Sequence, residues 1–238
     1  MVQSVTQPVI LGFDTSGHHC AVALGWGDGE IAHSQENMAK GQAERLMPML
    51  QELMDQQGVS WRDLDAVAVG VGPGNFTGIR IGVSAARGLA LALGIPAIGV
   101  SSFELMRGAL SVTDKRPQMV SLPAPRDTHY LQMFQDGNAA QDPFHFDRQL
   151  AKSKLAPLSV EVIGDSADLL FWGHIAPSGY DGPMRAFDRV LTDVPQTLVR
   201  IATHKWAAGI DTTLAPAPLY VRAADAAPPR DTPPTILP

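Results

Sequence analysis

The chain has 238 residues, 45% of them apolar, with a formal net charge of -6 and a pI near 5.6, which suits one compact unit or two small lobes around a sizeable core and leaves no global basic footprint for nucleic acid. A single cysteine, Cys20, excludes an internal disulfide and fits a reducing compartment. The first eight residues lack the basic start and apolar run of a signal peptide, and no apolar run reads as long enough to span a bilayer, so the expectation is a cytoplasmic protein without membrane contact.

In chain order, Val9 to Phe13 is a short apolar run with β-branched residues, ending in the turn-rich group Asp14-Thr15-Ser16-Gly17. His19 to Leu24 and Glu30 to Gln35, joined by Gly27-Asp28-Gly29, complete an antiparallel meander. Gln42 to Gln56 is predicted helical and closed by Gly58. Its apolar residues span an arc of about 160°, wider than a core-facing stripe needs, and Pro48 is expected to kink or restart it. Leu64 to Val71 is a strand running into Gly70-Val71-Gly72-Pro73-Gly74-Asn75-Phe76-Thr77-Gly78. A small-residue helix follows, with Thr77 as the expected N-cap and Gly94 and Pro96 as its stop. Ile95 to Val100 is a further strand, and Ser101 and Glu104 have capping-box spacing. This β-β-β-α-β-α-β-α order predicts a mixed sheet with helices on it.

The expected lobe boundary is the polar break at 114–117, giving a first lobe of 1–114 and a second of 115–215. In the second, Gln118 to Leu122, His129 to Gln135 and Ser159 to Ile163 read as strands. A short helix follows Gly164-Asp165-Ser166, and a longer one starts at Asp193 as N-cap. Asp136 to Leu155 and Phe171 to Asp188 give no clear periodicity. Residues 216–238 form a proline-rich tail expected to lie over the surface or hang free.

The glycine loop admits two chemistries. Free N–H groups at a helix start can hold an anion, which would make Asp14, Thr15, Ser16, Gly72, Gly74 and Asn75 a phosphate site. The loop nevertheless lacks the Gly-Lys-Ser/Thr of a Walker loop and the third glycine of a dinucleotide fingerprint, so a tight turn weighs more. The helix after it presents Ile79, Val83, Ala86 and Ala90 along one face, and its small residues would let a partner helix approach closely. The histidines show no metal-ligand spacing and read as surface or packing residues. Cys20 has no activating cation nearby in sequence, and no nucleophile elbow is present.

Five segments together resemble the bacterial TsaB family: Ile10-Leu11-Gly12-Phe13-Asp14-Thr15-Ser16, Glu44-Arg45-Leu46-Met47-Pro48, Gly72 through Gly82, Gly99-Val100-Ser101-Ser102, and Pro218-Leu219-Tyr220-Val221-Arg222. The resemblance implies an α/β, actin-like (ribonuclease-H-like) two-lobed fold of the sugar-kinase and heat-shock-protein superfamily, with mixed five-stranded sheets. It also implies a role in making threonylcarbamoyladenosine beside the anticodon of tRNA, as a non-catalytic partner of TsaD. TsaE, a small ATPase, would join the pair; tRNA would be met only through the complex; the free chain would form a homodimer; and ATP or ADP at the complex interface is the one cofactor left open. Where TsaD carries a His-x-Glu-x-His metal motif, this chain has Gln42, Glu44 and Leu46, so no metal is expected. The expected docking residues are Leu46, Met49, Leu50 and Leu53 on one helix and Ile79, Val83, Ala86 and Ala90 on the next, with Arg80 and Arg87 at the rim. Asn75 stands in for the loop's usual serine, and Pro123-Ala124-Pro125-Arg126 for the usual Asp-Ala-Arg of the second lobe. An independent ATPase or small-molecule kinase of the same fold is the main alternative. A peptidase is a second, for which no nucleophile–base pair is evident.

Overall fold

The computed structural model of the chain describes residues 8–108, 113–147, 160–171, 173, 185–209, 211 and 214–221. Strands β1 (Val9–Asp14), β2 (His19–Trp26) and β3 (Ile31–Asn37) form the expected meander. β4 (Ala66–Gly72) and β5 (Ala97–Ser101) then add in parallel beside β1, giving the order β3-β2-β1-β4-β5. That order is the one a ribonuclease-H-like lobe requires. β4 reads AVAVGVG and is buried throughout, as a parallel strand covered on both faces must be.

Two helices cover one face of this sheet. Helix α1 (Gln42–Gln57) is bounded by Gly41 and Gly58, both in the left-handed region, and it continues through Pro48 rather than restarting there. Helix α2 (Phe76–Leu93) is capped by Asn75, whose Oδ1 accepts from the Gly78 amide at 2.9 Å; Thr77, the expected cap, is already inside the helix. Leu46, Leu50 and Leu53 of α1 and Ile79, Val83 and Ala86 of α2 close a core with Phe13, Val22, Val67 and Val69. By length and composition α2 reaches the threshold of a membrane span, with a mean hydropathy of 1.3 over 18 residues, contrary to the expectation that no run is long enough. In the fold it lies on β4.

After α2 and β5, helix α3 (Ser102–Arg107) starts with the anticipated capping box: the Ser101 amide donates to Glu104 Oε2 at 2.8 Å and the Glu104 amide to Ser101 Oγ at 3.2 Å. Among the described residues the second sheet has six strands where five were expected. β6 (Gln118–Ala124) and β7 (Thr128–Gln135) form a hairpin, the short β8 (Asn138–Ala139) and β9 (Phe144–Phe146) both pair with β7, and β10 (Glu161–Gly164) and β11 (Ala186–Asp188) run parallel beyond β6. β8, β9 and β11, none of them read as a strand in the sequence, are only two or three residues long, too short to show a period of two. Helix α4 (Ala167–Leu170) packs on this sheet.

The last helix, α5 (Val194–Ala207), falls within the 115–215 segment but packs on the first sheet. Its Leu198, Val199, Ile201 and Ala202 meet Ile10, Ala23, Ala66 and Ala68. Gly12 and Gly25 admit it, since a Cβ at either would run into Val199. Asp193 is its N-cap residue, as expected, but lies in the left-handed region and its side chain makes no capping hydrogen bond. Residues 216–221 do not hang free. The Leu219 amide donates to the Val71 carbonyl at 2.8 Å, and the Leu219 side chain packs against the cores of both lobes. The tail beyond Val221, and with it Arg222 of the closing motif, lies outside the described residues.

Candidate functional site: glycine loop, cleft and helix face

The end of β1 and the glycine loop after β4 are built against each other. Asp14, Thr15 and Ser16 are all buried. A Cβ at Gly70 would overlap the Asp14 carboxylate; at Gly74, the Ser16 carbonyl; at Gly78, the Thr15 carbonyl. At Gly82 it would come within 2.9 Å of Thr15 Oγ1. The glycines therefore let the β1–β2 turn sink into the loop and the start of α2. Hydrogen bonds seal the contact: the Asn75 amide donates to the Ser16 carbonyl at 2.6 Å, and Thr15 Oγ1 donates to the Gly78 carbonyl at 2.7 Å. Two of the amides that an anion at this helix start would use, those of Asn75 and Gly78, are thus taken by Ser16 O and Asn75 Oδ1. Gly72, also assigned to the anion site, has φ +87 and faces Ile79. Asp14 accepts from the Ser16 amide at 2.8 Å, from Ser16 Oγ at 2.9 Å and from His19 Nε2 at 2.8 Å. His19 is therefore a partner of the loop carboxylate, not only a surface or packing residue. The pairing follows from the hairpin, which returns β2 beside the end of β1.

A cleft of about 400 Å³ opens where this turn meets the second lobe. Asp14, Ser16 and His19 lie on its first-lobe side with Pro73 and Ser102; Leu122 to Pro125 and Tyr130 form the opposite wall. Among the described residues no cluster of three His, Cys, Asp or Glu side chains is placed to hold a metal. Gln42 and Leu46, which stand at the ligand positions of TsaD's motif, are buried in α1, and the Gln42 amide donates to the Met38 carbonyl at 3.2 Å.

The expected docking residues separate into two groups. Leu46, Met49, Leu50, Leu53, Ile79, Val83 and Ala86 are at most 3% exposed and belong to the lobe's own core, so a partner cannot touch them in this fold. The wide apolar arc of α1 faces inward, leaving Met47 exposed. Arg87 is exposed and Ala90 half-buried. Arg80 is exposed but engaged: its Nε donates to the Tyr220 hydroxyl at 2.9 Å and its guanidinium lies 3.9 Å from the centre of the Phe76 ring. Phe76 and Tyr220 are themselves in contact, 5.2 Å between centroids, so the closing Leu219-Tyr220-Val221 motif fastens onto the start of α2. What α2 leaves outward is Ser84, Gly88, Leu91 and Ala92, with Ile81 and Ala85 half-buried against the core at the edge of that face. Only five of its eighteen residues are buried, few for so apolar a helix.

These features can be set beside known proteins. The family model for TsaD, described as a tRNA N6-adenosine threonylcarbamoyltransferase, matches residues 29–143. The chain is 43% identical over 97 residues to the tRNA threonylcarbamoyladenosine biosynthesis protein TsaB of Escherichia coli, and 38% identical over 100 residues to that of Haemophilus influenzae. The first match covers 41% of this chain and the second 42%; each spans 42% of the relative's length. Among solved structures, YeaZ of Pseudomonas aeruginosa superposes with a TM-score of 0.64 at 27% identity, covering 90% of this chain and 99% of that one. A P. aeruginosa protein described as similar to the peptidase YeaZ superposes with a TM-score of 0.68 at 25% identity, covering 90% and 100%. By sequence over two-fifths of its length and by fold over nine-tenths, the chain is similar to the TsaB/YeaZ proteins, and its residues 29–143 match the TsaD model.

Proposed function

We propose that the chain is a non-catalytic subunit that pairs with a TsaD-type protein in forming threonylcarbamoyladenosine on tRNA, with TsaE as a further member of the assembly. The observation that carries this reading is the filled glycine loop. A phosphate-transfer enzyme of this fold would use the amides at this helix start for its nucleotide, and here the chain's own Ser16 carbonyl and Asn75 side chain occupy two of them, those of Asn75 and Gly78. The E. coli and H. influenzae relatives are described as threonylcarbamoyladenosine biosynthesis proteins, which supplies the pathway. The partner surface in this proposal is the outward flank of α2 around Ser84, Ala85 and Gly88, with Met47 of α1 and Arg87 beside it. Small side chains there allow a second helix to lie close.

The test is co-elution of the chain with TsaD from the same organism on size exclusion. Ser84→Arg and Gly88→Arg place long cations on exposed positions, and a Cβ at Gly88 meets nothing within 4 Å. Each variant is expected to melt no lower than the wild type and to lose the complex. Co-elution of both variants at the wild-type level would move the interface elsewhere. Calorimetric titration of the free chain with Mg-ATP is expected to show neither tight binding nor turnover; finding both would favour the kinase alternative.

A further inference from the structure

The cleft between the lobes has a definite chemical character. At about 400 Å³ it is within the usual range for a small-molecule site. Among the described residues no lysine or arginine lines it, and the ionisable side chains there other than Tyr130 are Asp14 and His19. Three polar side chains on its first-lobe side already use their donors internally. Ser16 Oγ donates to Asp14, Ser102 Oγ donates to the Pro73 carbonyl at 2.8 Å, and His19 Nε2 is held by Asp14 at 2.8 Å. What remains on these side chains is accepting capacity: lone pairs on the two hydroxyls, and Asp14 Oδ2, which rests against Gly70 and is approached by Ser16 Oγ at the longer distance of 3.1 Å. The facing wall is apolar, made of Leu122, Pro123, Ala124 and Pro125 with Leu191 at the side.

An acceptor-rich floor opposite an apolar wall selects against anions, because a phosphate or carboxylate there would find no cation and would lie near the Asp14 carboxylate. It selects for a group that brings its own donors. We infer that the cleft is a binding site for a small amine: an ammonium head on the Asp14, Ser16 and Ser102 oxygens and an apolar or aromatic body against the proline-flanked wall. The site is separate from the α2 flank, so it stands or falls independently of the partner reading.

The probes are 2-phenylethylamine and 3-phenylpropionate, which share a ring and a short linker but carry opposite charge. Saturation-transfer NMR and calorimetry on the full chain are expected to show saturable binding of the amine, at least tenfold tighter than the carboxylate, and no displacement by Mg-ATP. Asp14→Asn disturbs a buried network and can fail to fold, so the site is checked with Leu191→Trp. Leu191 is 38% exposed, and the larger ring fills the cleft from its rim. That variant is expected to keep its melting temperature and lose the amine. Equal affinity for the two probes, no amine binding at all, or amine binding that survives Leu191→Trp would each overturn the inference.

Discussion

Gly78 shows how a single missing methyl group decides what the loop does. Its carbonyl accepts from Thr15, 63 positions earlier, and a Cβ would collide with the Thr15 backbone. Gly78→Ala is therefore expected to lower stability by about 3 kcal/mol in denaturant unfolding, the upper range for overpacking a tight site. Gly88→Ala, ten positions along the same helix and facing open space, is expected to raise it by about 0.5–1 kcal/mol through helix propensity alone. Equal effects at the two positions would contradict the packing argument. The glycines are conspicuous in the sequence, but the group they accommodate is not, because it arrives from a distant hairpin turn. For the same reason the Asp14–His19 pair is invisible to spacing alone. Cys20 is legible as a buried thiol. Burial, with Glu36 and Asp14 nearby and only partly offset by Arg45, pushes its pKa up to about 11. It should resist iodoacetamide at pH 8 in the folded chain and react once denaturant is added; rapid native-state labelling would show that β2 opens.

Helices α1 and α2 are legible in the sequence as elements, but not in their facing. Periodicity reveals an apolar stripe without saying whether the stripe meets the chain's own sheet or another protein, and both helices turn theirs inward. The consequence is a reassigned mutational outcome. Val83→Glu and Leu50→Arg, which on an outward facing would break only a complex, should destabilise the lobe itself by about 3 kcal/mol or more. Thermal melting separates these from Ser84→Arg, which should melt like the wild type, and Gly88→Arg, which should melt at or slightly above it. At the junction, Arg116 bridges Asp114 at 2.6 Å and Glu161 at 2.6 Å, tying the start of β6 to β10. The Arg116 hydrogen bonds hold the Asp114 carboxyl down at about 2, against an ordinary value of 3.8. A depressed carboxyl contributes stability above its unfolded pKa and loses it as pH falls through the folded one. Arg116→Met should therefore flatten the acid limb of the stability profile between about pH 4 and pH 2 and change its shape little above pH 5. An unchanged limb would mean the bridge is not formed in solution.

Across the whole molecule, the strand–helix alternation of the first half is enough to place the first sheet, because β1, β2, β4 and β5 are distinct apolar runs and the polar β3 follows β2 across a glycine turn. The second lobe is less readable, since three of its described strands are too short to carry a pattern. The position of α5 on the first sheet cannot come from its own sequence. It depends on Gly12 and Gly25 leaving room for Val199. The closing Pro218-to-Val221 motif is recognisable in the sequence only as a resemblance, and the fold gives it a physical role. Leu219 bonds Val71 and packs on both lobes, while Tyr220 holds Arg80. A first lobe whose glycine loop is closed by its own turn, with an uncovered small-residue helix beside it, suits a subunit that acts by docking. The decisive measurement is the yield of threonylcarbamoyladenosine on tRNA incubated with TsaD, TsaE and threonylcarbamoyl-AMP, with this chain present, absent or carrying Gly88→Arg. Modified adenosine is expected with the wild-type chain and to fall to the background level without it or with the folded variant. Modification independent of the chain, or undiminished with the variant, would contradict the account.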